Sequence, residues 1–230
     1  MFAFKQFVVR QGGAAMKVGT DGVLIGAWSR IPDNCRRILD IGAGTGLIAL
    51  MAAQRSDSAL ITAVESDASS AAQARENAEA SKWSDRIEIV HSRIQDYAPE
   101  YGFDLILSNP PFYDGTLTCG DTGRTMARHT VSLSFAELVS SAERLLADGG
   151  RFSVIVPAES AGRLVAESSM HLVRRCDVRT KPLAAPKRTM LEFSPLFTGA
   201  VRFEELTIGD GAGGYSEEYR ALTADFDLKM

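Results

Sequence analysis

The fold of this chain is decided by the segment Asp40-Ile41-Gly42-Ala43-Gly44-Thr45-Gly46. It follows the apolar run Arg37-Ile38-Leu39 and leads into residues 47–55, whose composition is helical. Glycine permits positive φ angles and lets a ligand approach backbone amides that a Cβ atom would shield. The segment therefore predicts a strand that ends in a nucleotide-cradling turn and continues into a helix.

The spacing of these glycines distinguishes between classes of ligand. A dinucleotide-binding turn, G-x-G-x-x-G, has its third glycine where this chain has Leu47. The form G-x-G-x-G with an acidic residue at its head, here Asp40, is typical of S-adenosylmethionine-dependent methyltransferases of the seven-stranded type. A tight strand-to-helix connection without a ligand is the alternative interpretation.

A second motif, Asn109-Pro110-Pro111-Phe112, closes the apolar run 103–108, at the strand end where open α/β sheets bind ligands. Asn109 offers a side-chain carbonyl oxygen and Pro110 a peptide carbonyl, so two acceptors can face one exocyclic NH₂ group. Such hydrogen bonds favour a pyramidal nitrogen that can attack a sulfonium methyl group. Phe112 offers a flat face on which a flipped base can stack. The catalytic residues that we expect are Asn109, Pro110, Pro111 and Phe112, although a stiff loop is the alternative.

Further carboxylates follow other apolar runs. Glu65 ends the run 60–65, and its two oxygens match the two adjacent hydroxyls of a ribose. Asp67 is a less favoured neighbour and a candidate N-cap for the next helix. Asp96 follows the run 87–90, where this class of enzyme usually places a partner for the adenine amine, and an ordinary loop carboxylate is the alternative. The residues that we expect to bind the cofactor, S-adenosylmethionine, include Asp40, Gly42, Gly44, Gly46, Glu65, Asp96 and Asn109.

Composition limits the class of protein. The chain has 230 residues, 45% apolar and 23% charged, which is enough for one large domain with a substantial core. We expect a single methyltransferase domain, 1–230, with an extension at 1–35 that faces cofactor and substrate and a Rossmann-like core at 36–230. No export signal or apolar stretch of about 18 residues is evident, so we expect a cytoplasmic protein without membrane insertion. The scattered cysteines and histidines predict neither a disulfide framework nor a metal site.

The net charge is −4, but basic residues are concentrated locally. The segment 163–188 carries seven of them, Arg174 included, against only Glu167 and Asp177. Such groups can neutralise the phosphates of a nucleic acid, or they can be ordinary solvated side chains. The residues that we expect to contact the substrate are Phe112, Arg124, Arg128, Lys187 and Arg188.

Strand-like and helix-like segments alternate along the chain. Strands are expected near 36–42, 60–65, 86–91, 103–108 and 151–156, and helices near 46–55, 69–81, 134–147 and 159–169. The last strands, near 171–181, 188–194 and 200–208, have no helices between them, and residues 215–226 suggest a closing helix. The pattern predicts an α/β fold, a doubly wound sheet with an antiparallel C-terminal hairpin. The likeness of the glycine turn to that of methyltransferases implies that this sheet is the seven-stranded, Rossmann-like sheet of that class.

Along nearly its whole length the chain resembles the family of bacterial tRNA methyltransferases that make N6-methyladenosine at position 37 of valine tRNA. In that family the Lys-x-Gly-Thr-Asp segment lies against the cofactor, which implies that Thr20 and Asp21 help to close over the methionine moiety. From the sequence alone, these two residues are a plausible N-cap. Phe112 stands where the family more often has tyrosine. The matching segments are Phe4–Phe7, Ala15–Trp28, Asp40–Gly46, Ser108–Phe112, Tyr215–Tyr219 and Ala221–Thr223.

The resemblance implies an S-adenosylmethionine-dependent enzyme that methylates N6 of adenosine-37 in the anticodon loop of valine tRNA. Another adenosine in tRNA or ribosomal RNA is an alternative, because nothing in the motif itself selects the nucleotide. Glutamine N5-methylation of a protein release factor is another, but those enzymes carry a helical substrate domain before the glycine turn, and only 39 residues precede Asp40 here. An inactive cofactor-binding module that serves as a tRNA or ribosome partner is disfavoured by the intact motif at 109–112.

Overall fold

The computed structural model describes residues 1–12, 18–111, 133–197 and 199–226. The predictions made for Phe112, Arg124 and Arg128 therefore lie outside the described residues. In the described part of the chain, no helix is both long and apolar enough to cross a membrane.

Strands and helices alternate along most of the chain, as the apolar runs predict, but the strands at 87–91 and 103–108 have no helix between them. The strands are β1 (Phe2–Ala3), β2 (Val8–Val9), β3 (Arg37–Ile41), β4 (Leu60–Glu65), β5 (Ile87–His91), β6 (Phe103–Ser108), β7 (Leu146–Pro157), β8 (His171–Arg179), β9 (Arg188–Ser194) and β10 (Arg202–Thr207). The helices are α1 (Thr20–Trp28), α2 (Leu47–Arg55), α3 (Ala68–Glu79), α4 (Phe135–Leu145), α5 (Ala161–Glu167) and α6 (Glu217–Thr223), and a short 3₁₀ turn (Ala158–Ser160) precedes α5.

One large sheet has the strand order β10-β8-β9-β7-β6-β3-β4-β5. Neighbouring strands are parallel except at β9, which runs antiparallel to β7 and β8. The doubly wound sheet and its antiparallel hairpin are thus confirmed. The expected count of seven is one too low for the described residues, because β10 pairs with β8 at the edge as an eighth strand. The apolar pattern of β10 locates a strand, but it does not specify the neighbour of that strand.

Apolar side chains cover both faces of this sheet, as parallel sheets require. Successive residues of a strand point to opposite faces, so Ile38 packs in one layer and Leu39 in the other. The first layer includes α1 and α2, and the second includes α4 and α5. The carboxyl edge of the parallel strands stays accessible between the two layers, and the site is found there.

The first residues of the chain pack into the same layer as α1 and α2. Phe4 and Phe7 are buried, and their rings stack with centroids 4.6 Å apart. The ring of Phe7 also meets the edge of Trp83, at 6.0 Å between centroids. The division into an extension at 1–35 and a core at 36–230 stays a prediction.

Helix α1 approaches α2 closely through two glycines one turn apart. A Cβ atom on Gly22 would lie 2.9 Å from Cδ2 of Leu47, and one on Gly26 would lie 2.7 Å from Sδ of Met51. Residues four apart share one helix face, so the two glycines form the contact surface together. The same hypothetical Cβ on Gly22 would lie 4.0 Å from Nδ2 of Asn109, which places the beginning of α1 beside β6.

Candidate active site

The sheet changes direction of winding between β3 and β6, because β3 leads to β4 on one side and β6 leads to β7 on the other. Ligands of open α/β sheets bind at the carboxyl ends of the strands at this point. The Oγ of Ser108, at the end of β6, donates a hydrogen bond of 2.9 Å to the carbonyl of Ile41, at the end of β3. The glycine turn and Asn109 therefore leave the sheet side by side.

The glycine turn uses its three glycines differently. The φ angles are +74° at Gly42, +55° at Gly44 and +80° at Gly46, a region that residues other than glycine rarely adopt. A Cβ atom on Gly42 or Gly44 would meet nothing within 4 Å, whereas one on Gly46 would lie 3.4 Å from Cβ of Ala74 in α3. The first two glycines thus leave open space for a ligand, and the third allows close approach of α3.

Glu65 lies against the glycine turn. Its Oε2 accepts a hydrogen bond of 2.8 Å from the amide of Gly44, and its Oε1 accepts one of 2.8 Å from the amide of Asp67. A carboxylate oxygen can accept more than one hydrogen bond, so both oxygens can also accept from ligand hydroxyls. The structure places Glu65 where the sequence expects it, and its contact with ribose stays a prediction.

The alternative reading of Asp67 is confirmed. Its side chain caps α3 by accepting a hydrogen bond of 2.7 Å from the amide of Ser70. Asp96 lies in a turn after β5 with 67% of its side chain exposed, and one of its oxygens is 4.0 Å from Nε of Arg93. Its role toward adenine stays a prediction.

Asp40 is completely buried at the end of β3. Its Oδ2 accepts a hydrogen bond of 3.1 Å from the amide of Ala49 in α2, while its Oδ1 has no hydrogen-bond partner among the described residues. Burial raises the pKa of Asp40 to about 7; the bond from Ala49 opposes this rise, and the charge of Glu65 adds to it. Buried polar atoms without partners are rare in native proteins, so Oδ1 is a candidate acceptor for a donor other than the described residues.

Asn109 presents a second orphan of this kind. Its Oδ1 is buried and lacks a hydrogen-bond partner in the described part of the chain. The residue follows β6 directly, and Pro110, which comes next, is buried while Pro111 is half-buried. An acceptor without a donor thus stands at the carboxyl edge, beside the glycine turn.

Thr20 and Asp21 begin α1, but the N-cap reading of these residues is wrong. The cap position belongs to Gly19, whose backbone is extended and which makes no side-chain capping bond. The carboxylate of Asp21 instead accepts a hydrogen bond of 2.8 Å from Nε of Arg188. An expected cofactor contact and an expected substrate contact are therefore partners, which the sequence does not reveal because 167 residues separate them.

Arg174 fits neither interpretation of the basic segment 163–188, because it is neither a free cation for phosphates nor a solvated side chain. It is only 8% exposed, because its position in β8 points toward the end of α1. Its guanidinium carbon lies 3.8 Å from the centroid of the Trp28 ring, and its nitrogens pair with Glu204 at 3.0 Å and with Glu192 at 3.6 Å. The exposed lysines of the segment are Lys181 and Lys187. The other arginines of the segment with intramolecular ion pairs are Arg163, Arg175, Arg179 and Arg188.

Asn77 is a residue of this region that sequence reasoning missed. It is 2% exposed in α3, and its Nδ2 donates hydrogen bonds of 2.9 Å to the carbonyls of both Arg10 and Thr45. Its Oδ1 accepts a third bond of 2.9 Å from the amide of Arg10. Asn77 thus ties the first residues of the chain to the glycine turn. The available signal was an amide between the buried Ala74 and Ala78 of one helix face.

Metal ligands are not grouped in the parts of the chain that the structure covers. Within 1–12, 18–111, 133–197 and 199–226, no three His, Cys, Asp or Glu side chains are arranged to hold an ion.

Known solved structures share this fold. A protein of Agrobacterium tumefaciens, Atu636, described as an O-methyltransferase, superposes with a TM-score of 0.69 at 20% identity, covering 90% of this chain and 96% of that one. A protein of Listeria monocytogenes, lmo1582, described as a class I S-adenosylmethionine-dependent methyltransferase, gives a TM-score of 0.59 at 14% identity, covering 88% of this chain and 65% of that one. At these identities the likeness concerns the fold alone.

Sequence relatives are more specific. The family model of the methyltransferase small domain matches residues 23–176. A protein of Bacteroides thetaiotaomicron is 45% identical over 100% of this chain and 98% of its own length, and one of Phocaeicola vulgatus is 47% identical with the same coverage. A protein of Klebsiella pneumoniae is 43% identical, covering 100% and 95%. All three are named tRNA1(Val) (adenine(37)-N6)-methyltransferase. The chain therefore belongs to the methyltransferase small-domain family and, within it, to the family of these tRNA1(Val) (adenine(37)-N6)-methyltransferases.

Proposed function

We propose that this protein transfers a methyl group from S-adenosylmethionine to N6 of adenosine-37 in the anticodon loop of valine tRNA. The observation that carries the proposal is the buried, unpartnered Oδ1 of Asn109 at the carboxyl end of β6. An amino group is a donor of the kind that this acceptor lacks. The names of the relatives support the choice of nucleotide and of tRNA.

The residues around the glycine turn fit S-adenosylmethionine. Gly42 and Gly44 leave their amide side open, and the Oδ1 of Asp40 lacks a donor among the described residues. When bound, S-adenosylmethionine supplies an electrophilic methyl group on a positively charged sulfur. The residues that would hold it are Thr20, Asp21, Asp40, Gly42, Gly44, Gly46, Glu65, Asp96 and Asn109.

Asn109 acts on the substrate amine. Its Oδ1 accepts one N–H of the amine, and the peptide carbonyl of Pro110 accepts the other, because a proline motif holds both acceptors in one stiff turn. An aromatic amine is a poor nucleophile, since its lone pair is delocalised into the ring. Two hydrogen bonds orient the nitrogen and favour the pyramidal form, so catalysis is mainly positioning and electrostatics. No strong base is needed, because the methylated cation loses its proton readily.

The substrate surface extends from Asn109 along the carboxyl edge. Lys187 is exposed there, because β9 runs antiparallel and begins at this edge, where Arg188 is in register with the last residue of β7, Pro157. Arg188 belongs to the same surface while its Nε holds Asp21. We also propose that the base stacks on Phe112 and that Arg124 and Arg128 contact phosphates. A cytoplasmic location goes with this substrate and stays a prediction.

A competition experiment tests the substrate class. Unmodified total tRNA, ribosomal RNA and a release factor are incubated together with the protein and labelled S-adenosylmethionine, then separated and digested. We expect the label in tRNA, as N6-methyladenosine. Label in the release factor, as N5-methylglutamine, would show that the substrate is a protein and not an RNA.

A further inference from the structure

The connection between β8 and β9 carries an unusual leucine. Leu183 has a φ angle of +63°, which no other non-glycine residue shares in the described ranges, and its side chain is fully exposed. A left-handed backbone is unfavourable for a residue with a Cβ atom, and glycine or asparagine is the usual occupant. Neither the conformation nor the exposure is explained by packing within the fold. An outlier of this kind is a reason to look for a function.

Hydrogen bonds hold this connection in place. The amide of Ala184 donates a hydrogen bond of 3.2 Å to the carbonyl of Lys181, which closes a turn around Leu183. The guanidinium of Arg179 donates to the carbonyl of Ala184. Prolines on both sides, Pro182 and Pro186, further restrict the backbone. Leu183 is therefore presented by a constrained support.

The leucine lies on the same edge of the sheet as the active site. β8 runs parallel to β6, so the connection after β8 emerges at the carboxyl edge, as Asn109 does. Two strand spacings separate β9 from β6, roughly 10 Å. Contacts also connect the β8–β9 connection to Asn109. Arg188, at the start of β9, donates a hydrogen bond to Asp21, and Gly22, which follows Asp21 in the chain, lies near Asn109.

Cations flank the leucine. Lys181 and Lys187, on either side of it in the chain, are both exposed. Lysines attract phosphates, and an apolar side chain between them can touch the faces of bases. RNA fits this arrangement better than a protein or a membrane does, because those partners need a contiguous apolar patch of several hundred Å² and not one side chain.

We propose that Leu183 is a wedge that enters the stack of an RNA loop and takes the place of the target base when that base turns toward Asn109. The proposal rests on the proposed function, since it needs a stacked base as the target. Enzymes that modify a base must take it out of the stack, and apolar side chains inserted between bases compensate for the lost contacts.

Three variants isolate the side chain. Leu183→Gly removes it but keeps the backbone conformation, which glycine adopts without strain. We expect kcat/KM for valine tRNA to fall roughly tenfold or more, while thermal stability and calorimetric affinity for S-adenosylmethionine stay as in the wild type. Leu183→Met keeps an apolar side chain of similar volume at this position and should keep most of the wild-type rate. Leu196→Ala is the control, because Leu196 is 57% exposed but follows β9 at the opposite edge.

Two substrates separate unstacking from binding. In tRNA with 2-aminopurine at the target position, wild-type protein should raise the fluorescence as the base leaves the stack, and Leu183→Gly should raise it less. On a short single-stranded oligonucleotide, where little stacking has to be broken, both proteins should be equally active. Equal activity of wild type and Leu183→Gly on tRNA, or an equal loss of activity of Leu183→Gly on both substrates, would overturn the proposed wedge and leave the proposed function untouched. A wild-type protein that leaves valine tRNA unmethylated would overturn the proposed function instead.

Discussion

Asn109 and Asp40 each bury an oxygen atom that lacks a partner in the described structure, and each lies at the end of a central strand. Each buried oxygen without a partner lowers the stability of the fold, but the group proposed to bind each oxygen differs. The acceptor of Asn109 is available to a substrate amine, and that of Asp40 to a group of the methyl donor. Separate measurements of donor binding and of turnover can therefore tell the two apart.

Asn109→Ala should abolish turnover and lower the affinity for S-adenosylmethionine only slightly, because eight other residues are proposed to hold the donor. The substitution removes an acceptor aimed at the reacting amine, and the loss of one positioned transition-state contact typically lowers kcat about 10²–10³-fold. Calorimetry with the donor and a single-turnover assay with tRNA measure the two effects. Asn34→Ala, at an exposed turn before β3, is the matched control. If donor binding disappeared together with turnover, this division of roles would be wrong.

Asp40 should make the stability of the protein depend on pH. Its pKa is raised to about 7 by burial, so the folded state holds a proton that the unfolded chain releases above its ordinary value of 3.8. Stability contributed by this protonated form is complete below pH 3.8 and is lost progressively as the pH rises through 7, by at most about 4 kcal/mol. Denaturant unfolding of wild type and Asp40→Asn at pH 5 and pH 8 measures the difference. Asp40→Asn should gain stability relative to wild type at pH 8, and equal differences at both pH values would contradict the raised pKa.

The sequence predicts individual residues well where the signal is local. Glu65 reaches the glycine turn because both lie at the ends of neighbouring strands, and Asp67 caps the helix that it precedes. It fails where the partner is distant, as for Arg188 with Asp21 and for Asn77 with Arg10. A composition count also cannot separate Arg174, which is buried, from a phosphate-binding cation.

At the scale of elements, α1 and the start of β9 are joined at the active-site edge by one ion pair. The pair is partly exposed, with 25% of Asp21 and 33% of Arg188 accessible. A partly exposed pair contributes little to stability, about 0–1 kcal/mol. Its consequence is positional, because α1 carries Gly22 against the Asn109 side of β6.

Lys187→Glu and Arg188→Glu should therefore differ although they are neighbours. Both should weaken tRNA binding and reduce the slope of log K against log salt by about one, since each removes a cation from the same surface. Arg188→Glu should also weaken donor binding, because it places a carboxylate against Asp21. Filter binding at several salt concentrations and donor calorimetry provide both readouts. An unchanged salt slope would remove the residue in question from the RNA interface.

Elements themselves were predictable to different degrees. The apolar runs located β3, β4 and β6, because buried parallel strands are largely apolar. They also located β5, a partly exposed edge strand, through Ile87, Ile89 and Val90. The start of α1 was not predictable, since its cap position is Gly19 without a side-chain bond. The neighbour of β10 was not predictable either, because β10 pairs with β8 across a connection that leaves β9 on the other side.

At the scale of the molecule, the C-terminal strands hold α1 at both ends. At the beginning of α1, Arg188 binds Asp21. At the end of α1, Arg174 stacks on Trp28, and the indole nitrogen of Trp28 donates a hydrogen bond of 2.8 Å to Glu204. Burial opposes ionisation of Glu204, but hydrogen bonds from Arg174 and Trp28 lower its pKa overall. The strands that carry the proposed RNA surface thereby position a helix of the cofactor side.

Arg174→Ala should destabilise the fold by about 3 kcal/mol, because it removes the buried cation that Glu192 and Glu204 share. Among the described residues, the two carboxylates then keep only the ion pairs with Arg151, at 3.9 Å from Glu192, and with the more exposed Arg202, at 2.7 Å from Glu204. Urea unfolding measures this free energy. Arg163→Ala is the control, since its partner Glu167 is one helical turn away and 63% of the Arg163 side chain is exposed, so a loss of about 0.5 kcal/mol or less is expected. Similar losses for both variants would mean that the buried network is not coupled to folding.

Methylation of adenosine-37 is tested by transfer of a labelled methyl group to two transcripts of valine tRNA, one unchanged and one with adenosine-37 replaced by guanosine. Nucleoside mass spectrometry then identifies the product. We predict N6-methyladenosine in the unchanged transcript and no label in the other. Equal labelling of the two transcripts, or labelling of neither, would contradict methylation at this nucleotide.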